Sequence, residues 1–137
     1  MEDKIKEDEI KWVSAIVRKD PYITEITTDT HKLIGDEPLE SGGQDKGPGP
    51  GDFLRMSLAS CTAITLRMYA DRKSIAIEQI EVKVFTETVE GKTIFNRTIT
   101  IQGTIDDHQR RRLLQIANAC PIHKILTNPI EVVTKFF

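Results

Sequence analysis

The spacing of apolar and polar positions changes several times along the chain, and each change predicts an element. Residues 1–9, MEDKIKEDE, are charged almost throughout and read as a flexible arm, frayed or partly helical. From Ile10 to Arg18 a period of two puts Trp12 and Ser14 on one side and Val13, Ala15 and Val17 on the other, which suits a strand. Lys19-Asp20-Pro21 signals a turn, and YITEITT and HKLIG then suggest a second and third strand joined at Thr28-Asp29-Thr30, so the first third reads as an antiparallel meander. Between Asp52 and Lys73 the period becomes three and four: Leu54, Leu58, Cys61, Thr65 and Met68 share one helical face, and Phe53, Met56, Ala59, Ala63, Ile64 and Leu66 cover the others. A helix apolar on nearly all sides is expected at the centre of the core, with Cys61 in an almost dry interior; its polar interruptions argue against a membrane span.

Alternation returns in IEQIEVKVFTETV, with Ile80, Val82 and Val84 on one face and Glu81 and Lys83 on the other. Glu90-Gly91-Lys92 turns the chain into TIFNRTITIQG, where Phe95, Ile99 and Ile101 share a face, so the pair predicts a β-hairpin. A second helix is expected from Asp106, where Asp-x-x-Gln to Gln109 has the capping-box pattern, through Leu113, Leu114, Ile116 and Ala117. Cys120-Pro121 opens a short third helix, PIHKIL, and PIEVVTKFF reads as a terminal strand. Between Gly35 and Gly51 lies a loop holding most of the glycines, and Pro50-Gly51-Asp52 starts the central helix with Asp52 as N-cap or first-turn carboxylate. Runs of strands broken by helices give an α+β class, with antiparallel sheets around a cysteine-bearing helix.

A chain of 137 residues supports one domain, residues 1–137, with a modest core. Its net charge of -2 and scattered basic residues argue against a nucleic-acid partner, and the Arg110-Arg111-Arg112 cluster reads as the solvated side of a helix. The charged N-terminus lacks the apolar run of a signal peptide, so a cytoplasmic location is expected. In a reducing compartment two cysteines leave open a transient catalytic disulfide, a metal site or two inert core thiols.

Reactivity requires a thiolate. Cys61 lies too far past the start of its helix for the N-terminal dipole to reach it, and burial raises a thiol pKa, so activation would need a cation from another element. Cys120, just before a helix-starting proline, occupies an N-cap-like position near backbone amides. Cys120 and His123 form half of a zinc pattern whose other half is missing, and neither a metal nor a cofactor is expected. Arg67, six residues past Cys61, points away from the thiol face, whereas Arg18 at the first hairpin turn is a better-placed cation.

The stretch GGQDKGPGPGDFLRMSLASCTAITLRMYADRK resembles the OsmC/Ohr family (osmotically inducible protein C and organic hydroperoxide resistance protein), and ANACPIHKIL resembles its second cysteine signature. The resemblance implies an intertwined α+β homodimer that reduces organic hydroperoxides with an external thiol or dithiol. It implies Cys61 as the peroxidatic cysteine, Cys120 as the resolving one, and Arg18 as the activating cation steadied by Asp52. The family usually has glutamate where this chain has Asp52, one methylene shorter. The competing reading is a module that binds a small apolar ligand and carries redox-sensitive cysteines without efficient turnover.

Overall fold

The structure, a computed structural model, describes residues 6–137. Most of the arm expected at residues 1–9 lies outside them, and Glu7–Glu9 form a single 3-10 turn. The chain divides into two compact units, Met1–Phe53 and Leu54–Phe137.

In the first unit β1 (Ser14–Val17), β2 (Thr24–Thr27) and β3 (Lys32–Gly35) form the expected antiparallel meander in the order β1-β2-β3. Each strand has only four residues, shorter than the alternation suggested, because pairing begins at Ser14↔Thr27 and ends at Val17↔Thr24. The following loop contains a 3-10 turn at Leu39–Ser41 and is drawn together by Asp36. One Asp36 oxygen accepts the N–H groups of Tyr22 (3.2 Å) and Glu37 (2.7 Å), and the other those of Gln44 (3.2 Å) and Lys46 (3.0 Å). Glycine is required where this loop folds onto itself: a Cβ at Gly43 would collide with the Glu37 carbonyl, and one at Gly47 with that of Ile34.

The central helix, α1 (Pro50–Arg72), begins with proline and carries Asp52 in its first turn. Asp52 Oδ2 accepts the Gly49 N–H at 3.0 Å, so the carboxylate reaches back to the helix entrance as the third residue of a capping box does. In the second unit β4 (Ile77–Val89) and β5 (Lys92–Gly103) form a long antiparallel hairpin. Next comes α2 (Asp107–Asn118), with Asp106 and Gln109 making the predicted reciprocal capping box, and then α3 (Pro121–Leu126). Leu66, Tyr69 and Ala70 of α1 pack with Ile77, Leu113 and Ala117, and Ile80, Ile99 and Ile101 of the hairpin close over them.

Two expectations fail. Residues 129–137 form no strand: no strand of the described residues pairs with them, and Val132, Val133, Phe136 and Phe137 are exposed. An apolar period cannot supply the hydrogen-bonding neighbour that a strand needs. Nor is α1 buried on nearly all sides, as its sequence led us to expect. Its buried stripe is Leu58, Thr62, Leu66, Tyr69 and Ala70, whereas Leu54 and Met68 are 50% and 61% exposed. Cys61 is therefore half-buried, not enclosed in a dry interior. The helix is apolar over more of its circumference than this chain's own hairpin and helices cover.

Candidate active site

The second unit brings the two cysteines together. Cys120 lies at the break between α2 and α3, where proline at the start of α3 fixes the turn and leaves the preceding residue extended (φ -63°, ψ 141°). In that conformation its sulfur caps α3, accepting the His123 N–H at 3.3 Å. Thr62 Oγ1, one helical position past Cys61, lies 3.8 Å from the same sulfur, and the Cys61 thiol is a further hydrogen-bonding neighbour. Both cysteines are free; Cys120 is fully buried. Burial alone would push the Cys120 thiol up, but the His123 N–H, the Cys61 and Thr62 side chains and the Ile122 N–H outweigh it and hold the thiol below its ordinary value of 9.0. The N-cap reading of Cys120 thus acquires an explicit set of donors.

A cation stands beside this pair, and it comes from β5. Arg97 Nη1 donates to Thr62 Oγ1 (3.1 Å) and to the Ala117 carbonyl (3.3 Å), while Nη2 donates to Asn118 Oδ1 (2.8 Å). The guanidinium therefore joins α1 to the C-terminal end of α2. Burial, and then the charge of Arg97, lower the pKa of His123 below its ordinary 6.5, favouring the neutral imidazole. Arg97, Asn118 and His123 line one wall of a cavity of about 530 Å³ whose other walls include Leu58, Phe95 and Leu114.

Arg97 and Thr62 were missed in the sequence, although each leaves a trace there. Arg97 shares the parity of Phe95, Ile99 and Ile101 and pairs with Val84, so it is a charge in the register of the covered face. Thr62 lies four residues from both Leu58 and Leu66, a hydroxyl within a buried apolar stripe. Arg67 turns away as its spacing requires, donating to the Ile77 carbonyl at 2.9 Å. Arg18 and Asp52 belong to the first unit; Arg18 is exposed and ion-paired with Glu25 at 2.8 Å. No group of three or more His, Cys, Asp or Glu side chains able to hold a metal ion occurs among the described residues.

The sequence model of the OsmC-like protein family matches residues 43–135, which hold both cysteines and more than half of the chain. The chain belongs to the OsmC-like family. Solved structures of similar fold include an OsmC-like protein from Mycoplasma pneumoniae, with 20% identity and a TM-score of 0.73 over 87% of this chain and 88% of that one. An organic hydroperoxide resistance protein from Legionella pneumophila is 20% identical, with a TM-score of 0.61 over 86% and 89% of the two chains. The organic hydroperoxide resistance protein OhrB of Bacillus subtilis is 21% identical, with a TM-score of 0.58 over 86% and 90%. At these identities the likeness shows the fold, and this OsmC-like chain has the α+β class with antiparallel sheets anticipated from its sequence. No curated protein matches it. No helix among its described residues is long and apolar enough to cross a membrane.

Proposed function

We propose that this OsmC-like protein is a cysteine-based peroxidase that reduces organic hydroperoxides in defence against oxidative stress. The carrying observation is the pairing of two free thiols of unequal access: Cys61 is half-buried, and Cys120 beside it is fully buried. A peroxide has to reach the first sulfur, whereas the second needs to meet only Cys61. The Cys61 thiolate attacks the terminal peroxide oxygen, the O–O bond breaks, and the alkoxide takes up the proton lost by the thiol, leaving a sulfenic acid and an alcohol. Cys120 then displaces the sulfenic oxygen as water and forms a disulfide, which a thiol or dithiol reductant opens by exchange.

The exposed apolar residues on the helix of Cys61, Leu54 and Met68, favour a hydroperoxide with a hydrocarbon substituent, at roughly 25 cal/mol per Å² of apolar surface buried. By analogy with the family, Arg18 activates Cys61 with Asp52 steadying it, the protein is a cytoplasmic homodimer, and no cofactor takes part. Consumption of cumene hydroperoxide and of hydrogen peroxide with a dithiol reductant tests the reading. Wild type should turn over the organic peroxide faster, Cys61→Ser should lose turnover, and a Cys120→Ser variant should accumulate sulfenic acid on Cys61 by mass spectrometry. Full activity in Cys61→Ser ends the proposal.

A second reading draws on the first unit. A largely apolar cavity of about 980 Å³ is bounded there by residues including Val13, Val17, Ile26, Leu33 and Phe53, room enough for a small apolar ligand. Stoichiometric binding of such a ligand, with no peroxide turnover despite intact thiols, would favour it.

A further inference from the structure

We propose that Arg97 is a positioning residue for the resolving thiol, holding the Thr62 hydroxyl so that it can serve Cys120 while that sulfur is an anion attacking Cys61. The inference rests on the peroxidase reading and adds to it a device carried by β5. A hydroxyl has one hydrogen and two lone pairs. Thr62 spends its hydrogen on the Leu58 carbonyl at 2.7 Å, accepts from Arg97 Nη1 at 3.1 Å, and faces Cys120 Sγ at 3.8 Å with its remaining lone pair. With the Thr62 hydrogen on Leu58, a protonated Cys120 would be the donor of this contact.

Once Cys120 ionises, the thiol no longer donates, and the Thr62 hydrogen turns to the sulfur. The Leu58 carbonyl keeps the helical N–H of Thr62, so the turn leaves no backbone group unpaired. Arg97 does not turn with it, because the Ala117 carbonyl and Asn118 Oδ1 fix its planar fork. Its donation to Thr62 Oγ1 polarises the hydroxyl and makes it a better donor to the thiolate, a cooperative chain of two hydrogen bonds. In the step served, the Cys120 sulfur attacks the Cys61 sulfur, the S–S bond forms as the S–O bond breaks, and hydroxide leaves and takes up the proton that Cys120 released.

Among the described residues, the ionisable and charged groups around Cys120 include Cys61 from α1, Arg97 from β5 acting through Thr62, and His123 on α3. His123 is disposed to remain neutral, which leaves Arg97 as the permanent cation of the set.

Two measurements test the proposal. In a Cys61→Ser background, the ultraviolet absorbance of the thiolate gives the titration midpoint of Cys120. Arg97→Met and Thr62→Val should each raise it, whereas Thr62→Ser, which restores the hydroxyl, should return it to the parent value. With Cys61 intact, the conversion of sulfenic acid to disulfide in a single turnover should slow about tenfold in Arg97→Met and Thr62→Val, and Thr62→Ser should recover it. Should Arg97→Met fail to fold by circular dichroism, Arg97→Lys, which keeps the charge but loses the planar fork, takes its place. Midpoints and disulfide rates unmoved in the Arg97 variant or in Thr62→Val, or unrestored in Thr62→Ser, overturn the proposal. A wild-type protein that forms no sulfenic acid on Cys61 instead sinks the peroxidase reading, and the Cys120 titration still decides the role of Arg97.

Discussion

Asp36 shows how one side chain can organise a loop. Burial would raise its pKa, but the N–H groups of Lys46, Glu37, Gln44 and Tyr22 outweigh this and hold the carboxyl below its ordinary 3.8. A carboxylate depressed in the folded state adds stability above its ordinary value, and that stability is lost as the pH falls through the lower folded value. Asp36→Asn should therefore lower the denaturation midpoint at neutral pH and flatten the acid limb below 3.8, measured by urea titration at several pH values. An acid limb identical to that of wild type would show that the loop does not depend on the charge. Asp36 was illegible in the sequence because its four donors are backbone amides, which leave no mark on residue identity. Arg97 and Thr62 were legible in principle, each a polar residue standing in an apolar register. Interpreting either requires knowing which neighbour supplies the hydrogen-bond partner, and a period along one strand or helix does not name it.

The elements read well from sequence where a local device fixes them. The capping box of Asp106 and Gln109 is reciprocal: Gln109 N donates to Asp106 Oδ1 at 2.7 Å, and Asp106 N donates to Gln109 Oε1 at 3.0 Å. Asp106→Ala removes the first of these bonds and should destabilise the protein by about 1 kcal/mol, read from the shift of its thermal or urea transition. No measurable shift would mean that packing through Leu113 and Ala117 alone sets where α2 begins. The β4–β5 hairpin was equally plain, since alternation and the Glu90-Gly91 turn agree. By contrast, α1 was found, but it is buried along one stripe and not nearly all round as expected. Nearly every face of the helix carries apolar residues, so its period cannot say which stripe this chain covers. For residues 129–137 the β propensity is present and the pairing strand is not.

At the scale of the whole molecule, apolar side chains left in solvent are the salient feature. Trp12, Ile64, Met68, Val132, Val133 and Phe136 are all more than half exposed in the single chain. Isolated exposed apolar residues are ordinary, but this number spread over the segment before β1, the central helix and the C-terminal segment fits a surface made to be covered. The proposed homodimer predicts the mass of two chains in sedimentation equilibrium at micromolar concentration. A mass of one chain there would rule out a stable dimer and leave the exposed residues without that partner.

The cap of α3 is a sulfur atom rather than the usual oxygen. A thiolate accepts the His123 N–H more strongly than does a sulfur whose electrons are shared in a disulfide. On the proposed peroxidase reading, the joint between α2 and α3 would be stiffest when the pair is reduced and ionised and looser once it is oxidised, so that the mechanical state of this corner would keep time with the proposed redox cycle.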